Sequence, residues 1–375
     1  MLTPASRLRD FPYLRGMSYL NTAAESIPPL CVTHAIAEYM QHKSLGMDGR
    51  EPHFARVEEC REIAAEMIGL SPQEVGFCSC SSEAYNLLAS ALQLGEHDEV
   101  VLTNLDFPAG VTPWMTMPVQ PIIRMWRARE GTLDPMELVP LLSEHTRLVQ
   151  VSLISFYNGH RINWARFRDM VRKLAPNALI SVDVTQALGR VELDCSDADF
   201  LVSSTHKWTL GIHGGCIVGV PARNTERLTT KAGGWFHLTN AFESDRFQRA
   251  DIKPGAASYS VGMPNFVALY ALNASLRYLK SISIAAICAH ADPLVKKIHM
   301  ALPELGIRAM APMQPDNCPT GIIAFQHPNS DVIHNSLLSK NIHVMHHAGR
   351  IRIAVHGYNT EEDVDRLLEC LGKRS

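Results

Sequence analysis

Lys207 follows the apolar run "DFLVSS" in the stretch "SSTHKW", with Ser204 and His206 beside it. A lysine at the end of a buried strand either leaves for solvent or is held near a neutral pKa, where its amine is a Schiff-base nucleophile. Asp183 lies 24 positions earlier (207 − 183), inside the apolar "SVDVTQA", and Gln186 follows three residues later. A buried carboxylate requires a cation or hydrogen bonds. One reading is a structural ion pair, with Arg190 as the candidate. The other is a carboxylate facing a pyridinium nitrogen, which keeps such a ring protonated as an electron sink. Ser81 and Ser82, in "FCSCSSEAYN", open a helix whose free N–H groups and dipole suit a phosphate; ordinary capping by serine is the alternative. A phosphate seat, a carboxylate and a lysine on successive strand ends together describe pyridoxal 5′-phosphate (PLP).

The elements that position these residues follow from the apolar runs. Residues 74–79, 98–104, 147–154, 178–184, 199–204 and 214–220 are continuous rather than alternating, which predicts strands buried on both faces. Helical patterns such as "SEAYNLLASAL" and "WARFRDMVRKLA" lie between them. The fold class is therefore α/β, with a mostly parallel sheet covered by helices, and ligands in such sheets sit at the carboxyl ends of the strands. Past about residue 260 come two long helices, the short strands "TGIIAFQ", "NIHVMHH" and "RIRIAVH", and a closing helix with Thr360 as N-cap and an acidic first turn. The expected division is a large PLP-binding domain over 16–262 and a small C-terminal α/β domain over 263–375, with residues 1–15 packing nearby.

Thirty-five Lys and Arg against 38 Asp and Glu leave the chain nearly neutral, with no basic field to attract nucleic acid. No apolar run approaches the ~20 residues that span a bilayer, and the start "MLTPASRLRDFPYL" has no apolar h-region. Nine cysteines, irregularly spaced and without a CxxC, fit buried thiols in a cytoplasmic setting rather than a disulfide framework. Cys78 and Cys80 have no second pair, and His343, His346 and His347 read as site-lining or surface groups, so no metal is expected.

The segment "SVDVTQALGRVELDCSDADFLVSSTHKW" resembles the signature of class V aminotransferase-like PLP enzymes, a group that includes cysteine desulfurases, selenocysteine lyase, kynureninase and isopenicillin N epimerase-like proteins. The resemblance runs from "YLNTAAESIPP" (19–29) to "RIRIAVHGYNTEEDVDRLL" (350–368). It implies fold type I, with a seven-stranded, mostly parallel sheet in the large domain, and an amino-acid substrate. Lys207 would carry the cofactor as a Schiff base and shuttle the proton. Asp183 would pair with the pyridine nitrogen and Gln186 would sit near the ring hydroxyl. Ser204, His206, Ser81 and Ser82 would hold the phosphate. Phe107 falls where the family stacks an aromatic on the ring, with core packing as the alternative. Arg352 matches the arginine that clamps the substrate carboxylate, a task suited to a bidentate guanidinium. A surface arginine on an edge strand is the alternative, and Arg350, on the same strand face, is the reserve candidate. Ala23 and Ala24 would let backbone approach the substrate. The resemblance also implies a two-fold homodimer in which the turn Gly262–Met263–Pro264 serves the neighbour's phosphate.

The sequence departs from that pattern in several places. Phe156 stands where several relatives set an asparagine beside the cofactor hydroxyl, with Ser155 or Asn158 as substitutes. Glu25 is a charge where relatives commonly have something small; it either selects a cationic or amino-bearing substrate or faces solvent. Trp235 and His237 suggest a turn near the active site or the dimer interface. His346 is expected at the mouth of the site, against substrate. The segment "HVMHHAGRIR" holds no cysteine where desulfurases carry their reactive thiol, which argues against a persulfide-forming cysteine desulfurase. Abstraction of Cα–H by Lys207 leads to transamination or C–S β-elimination. The alternatives are an epimerase, with His346 or Tyr157 as second acid/base, and a non-catalytic PLP-fold binding protein.

Overall fold

The structure, a computed structural model, describes residues 1–313 and 320–372. Cys318 lies outside the described residues. The chain opens with α1 (Pro4–Asp10), β1 (Ser18–Tyr19), α2 (Leu30–Ser44), α3 (Arg50–Ile68), β2 (Val75–Cys78), α4 (Ser81–Leu92), β3 (Glu99–Thr103), α5 (Pro108–Thr116) and β4 (Ile122–Trp126). It continues through β5 (Thr146–Ser152), α6 (Trp164–Leu174), β6 (Leu179–Asp183), β7 (Phe200–Ser204), β8 (Cys216–Gly219), α7 (Phe266–Ile282) and α8 (Ile284–Glu304). It closes with β9 (Ile322–Gln326), α9 (Ser330–Ser339), β10 (Ile342–His343), β11 (Met345–His347), β12 (Arg350–Ala354) and α10 (Glu361–Gly372).

Seven strands form the large sheet in the order β2-β8-β7-β6-β5-β3-β4. Strands β7 through β4 run parallel, and β8 is antiparallel to both of its neighbours. The six continuous apolar runs became strands at the expected places. The seventh strand, β4, is an edge whose residues are largely exposed or half-buried, and Arg124 interrupts it, so it lacks the continuous apolar run that marks the other six. Side chains alternate between the two faces. Val149, Val151, Ile180 and Val182 join α3, α6 and α7 in one core, and Leu102, Leu148, Leu179 and Val202 join α4 and α5 in the other. At about 1.5–3 kcal/mol for each fully buried aliphatic side chain, this double burial makes the sheet the rigid base of the molecule.

A third core gathers α8, α9 and α10 around the antiparallel sheet β11-β12-β9. Helix α7 packs on α2 and α3 and gives Leu269, Leu272 and Leu276 to the large core. The cores therefore divide at the α7–α8 junction rather than at 262/263. The N-terminal segment ties the large-sheet part to the C-terminal part: β1 pairs with β10, and Phe11 and Leu14 pack with Leu210, Leu279 and Tyr358. Arg190, fully buried, makes a second tie; its Nη2 meets Asp292 at 2.7 Å and its Nε donates to Val355 O at 2.9 Å. It does not reach Asp183, which removes the structural ion pair considered for that carboxylate. Thr360 caps α10 reciprocally, accepting from Asp363 N at 3.2 Å while Asp363 accepts from Thr360 N at 3.0 Å. Among the described residues no helix is long and apolar enough to cross a membrane.

Candidate active site

Strands β5 and β6 end side by side at Ser152 and Asp183, and β7 ends beyond them at Ser204, so the sheet delivers its polar residues to one edge. Asp183 is buried and has no salt bridge among the described residues. It accepts Thr185 N–H on Oδ1 at 2.8 Å and the Tyr85 hydroxyl on Oδ2 at 3.2 Å. Tyr85 projects from α4, and Gln150 Nε2 donates to its oxygen at 3.1 Å, which leaves the hydroxyl proton for Asp183. Burial raises the Asp183 pKa, against the hydrogen bonds from Thr185 and the charge of Lys207. A ring N–H⁺ is the partner such a carboxylate lacks. Asp106 lies within electrostatic reach; burial pushes its pKa up to about 7, and its Oδ2 is buried without a partner.

Lys207 sits in the turn that follows β7. Thr205 shapes that turn by donating from Oγ1 to the carbonyls of Ile212 and Gly215, at 2.8 and 2.9 Å. Leu210 closes it with a φ of 59°, a costly conformation for leucine that its buried packing holds in place. Gly189 backs it, since a Cβ there would lie 2.4 Å from Trp208 O. Burial lowers the Lys207 pKa to about 8; Asp183 opposes that shift and Arg352 adds to it. The amine stands 5.2 Å from the centre of the Phe107 ring. Phe107 is 44% exposed, so core packing does not account for it, and Phe156 meets it edge-on at 5.1 Å.

The N-terminus of α4 has no side-chain cap from Cys80, and among the described residues the hydroxyls of Ser81 and Ser82 make no hydrogen bonds, so capping does not explain those serines. Ser204 holds its place through N–H to Thr185 Oγ1 at 2.9 Å, with its own hydroxyl without a partner among the described residues. His206 stacks on His213 with ring centres 3.9 Å apart, and burial lowers its pKa to about 4, so it is a neutral donor.

Arg352 and Arg350 lie on β12, the middle strand of its sheet, and are only 3% and 4% exposed. The edge-strand, surface reading of Arg352 is therefore wrong. Arg352 Nη1 donates to Phe156 O at 2.8 Å; Arg350 Nη1 donates to Tyr157 O, with its guanidinium 4.1 Å above the Tyr157 ring. Among the described residues neither meets a carboxylate, and the Nε of each is buried without a partner. Burial, then the charge of Arg350, pulls Arg352 down to about 10. Two buried cations without an anion form a site for one.

Other residues fall differently from expectation. His346 pairs across from Ile351, so it faces away from Arg352; it bonds Ser330 at 3.0 Å and stacks on His334. It is not brought to the site as a substrate ligand or as an epimerase acid, because the two-residue period of β11 turns it toward α9. Tyr157, the other such acid, is packed beneath Arg350. Ser155 bonds Leu105 O and Asn158 bonds Gly131 O, so both proposed replacements for the missing asparagine are spent on loop structure. Gln186 is pinned between Trp208 Nε1 at 2.6 Å and Ala23 O at 3.0 Å, which fixes the buried Ala23 against the site and leaves one amide hydrogen. Met263 lines a cleft with Ser79 and Glu83 of its own chain, and Trp235 is half-exposed against Phe242. Tyr85, Thr185, Asp106 and His213 were not singled out from the sequence. Only Tyr85 left a trace there, as a hydroxyl on the apolar face of α4, four residues after Ser81.

PLP fits this set of groups. The free serine hydroxyls at a helix N-terminus suit its phosphate, Asp183 lacks a cation, Phe107 offers an open ring face, and Lys207 offers an amine near neutrality. A family model described as aminotransferase class-V matches residues 18–367. A curated relative, a probable cysteine desulfurase of Methanothermobacter thermautotrophicus, is 28% identical over 97% of this chain and 96% of its own. Among solved structures, the cysteine desulfurase of Thermococcus onnurineus superposes with a TM-score of 0.87 at 22% identity, covering 100% of this chain and 98% of that one. The cystine C–S lyase C-DES, solved with its reaction product cysteine persulfide, gives 0.87 at 18% identity, covering 96% and 99%. These relatives overturn the expectation drawn from "HVMHHAGRIR" that a persulfide-forming cysteine desulfurase is unlikely. A missing thiol in one segment is not decisive, because the sulfur acceptor need not stand there.

Proposed function

The chain belongs to the aminotransferase class-V family, whose members work with PLP, and we propose that it breaks the C–S bond of a sulfur amino acid and releases the sulfur as a persulfide. The observation that carries this reading is Arg352, buried with no anion of its own among the described residues, within electrostatic reach of the lowered Lys207 amine. Arg352 holds the substrate carboxylate and so orients Cα–H toward Lys207. Lys207, driven toward its neutral form by burial, takes that proton. The cofactor, when bound, supplies the electron sink that stabilises charge at the α-carbon. Asp183, held by Thr185 and Tyr85, offers the negative charge its ring nitrogen requires. Ser81, Ser82, Ser204 and His206 receive the phosphate.

The C–S electron pair then leaves with sulfur. The β11–β12 turn is only Ala348–Gly349 and carries no thiol, so a substrate that brings its own second sulfur fits best. For L-cystine the balance is cystine plus water to pyruvate, ammonia and cysteine persulfide, the product named for C-DES. The reading includes a two-fold homodimer, supported by Phe242 and Phe247, which are 85% and 91% exposed; light scattering tests it. It also includes a cytoplasmic setting, supported by the described cysteines all being free.

The test supplies purified holoenzyme with L-cystine and, separately, L-cysteine, and quantifies every product. Pyruvate, ammonia and persulfide in equal amounts support the reading. A keto acid formed only stoichiometrically until an amino acceptor is added means transamination and overturns it.

A further inference from the structure

Glu25 and His213 form a carboxylate–imidazole pair that the chemistry at Lys207 does not use. His213 Nε2 lies 2.6 Å from Glu25 Oε2, and no lysine or arginine neutralises Glu25 among the described residues. The pair is set by the framework rather than by chance. Gln186 holds Ala23, Ser26 N–H donates to His206 O at 3.0 Å, and the Tyr19 hydroxyl donates to Glu25 O at 2.8 Å, so Glu25 is fixed on both sides. His213 comes from the Lys207 loop that Thr205 ties down, and its ring lies against His206. Glu25 raises the Lys207 pKa while Arg352 lowers it. Glu25 is joined to the Lys207 loop directly, through His213 and through the Ser26–His206 backbone bond, and its carboxylate, the His206 ring and the His213 ring lie within 4.8 Å of one another.

Glu25, His206 and His213 also lie close enough together to suggest a metal. The two rings are stacked within 20° of parallel, however, and stacked rings direct their in-plane lone pairs side by side rather than at one point. A carboxylate oxygen open to solvent beside a substrate site suits a hydrogen-bonding cation better.

We propose that Glu25, oriented by His213, binds the distal ammonium of a substrate with an amino-acid group at each end, so that the enzyme prefers bis-amino-acid disulfides. The proposal rests on the C–S lyase reading and names its substrate class. Arg352 takes the proximal carboxylate. The disulfide sets the two α-carbons about 5.5–6 Å apart, and the far ammonium meets Glu25.

Calorimetry on the holoenzyme tests this with two ligands that have methylenes in place of sulfur: 2,7-diaminosuberate, which has both ammonium groups, and 2-aminosuberate, which lacks the distal one. The diamino ligand is expected to bind at least about tenfold tighter, the worth of one charge-assisted hydrogen bond. Glu25→Gln should bring that ratio close to one, and His213→Gln should lower it severalfold. Equal affinities in the unaltered protein, or a ratio untouched by Glu25→Gln, would overturn the proposal. Neither ligand has a C–S bond, so the two ideas fail separately. A retained ratio without persulfide from L-cystine sinks the lyase reading alone, and persulfide with a ratio of one sinks the ammonium site alone.

Discussion

Arg190 and Arg352 are both buried arginines, and their surroundings are opposite. Arg190 is fully inside, paired with Asp292 at 2.7 Å and with its Nε on Val355 O. Arg352, only 3% exposed, has among the described residues one carbonyl partner, a second arginine beside it, and an Nε that bonds nothing. Burial alone therefore does not distinguish a structural cation from a functional one; satisfaction does. The first arginine is a finished joint between the large-sheet part and the C-terminal part. The second is costly to the empty protein and is relieved only by an anion.

The sharpest way to break this contrast is a matched pair of substitutions. Arg352→Met should lower kcat/KM by about a thousandfold, as expected for losing a bidentate carboxylate contact that also orients the reacting bond. Thermal unfolding of the same variant should show stability unchanged or raised, because an unpaired buried charge is removed. Arg190→Met should do the reverse. It leaves Asp292 unpaired and should cost about 3 kcal/mol in urea unfolding, with turnover per folded molecule largely kept. Loss of stability in the first variant, or none in the second, would dissolve the distinction.

A smaller effect sharpens the picture on the Asp183 side. Tyr85→Phe removes one hydrogen bond from that carboxylate. It should weaken PLP binding to the apo-protein by about five- to tenfold, measured by titration, with the fold intact. The smallest effect concerns acid stability. Burial lowers His356 to about 3 and His160 to about 4. Their folded values lie below the unfolded value of ~6.5, so the unfolded chain binds more protons there. Stability should fall as pH drops from 6.5 toward 4, read as a shift in the urea midpoint, and His356→Gln should flatten part of that slope.

Asp183 and Lys207 were legible in the sequence because each polar group interrupts or ends an apolar strand, and the sheet places strand ends together. Their partners were not. Tyr85 reaches Asp183 across 98 residues, Arg190 reaches Asp292 across 102, and Glu25 reaches His213 across 188. No local period encodes such pairings; they appear only when helices and loops close over the sheet. The same limit explains His346. Its segment reads as strand, but which face it presents depends on the register with β12, and a one-residue change of register would reverse it.

The most direct test of the central claim, that burial has made Lys207 the amine that carries the cofactor, is borohydride reduction of PLP-loaded protein followed by peptide mass mapping across a pH series. The expected result is a single reduced pyridoxyl group on the peptide containing Lys207, with attachment to apo-protein half as fast as its maximum near pH 8, where the lowered amine loses its proton. Label on another lysine, or attachment that rises only near the ordinary lysine pKa of ~10.4, would contradict it.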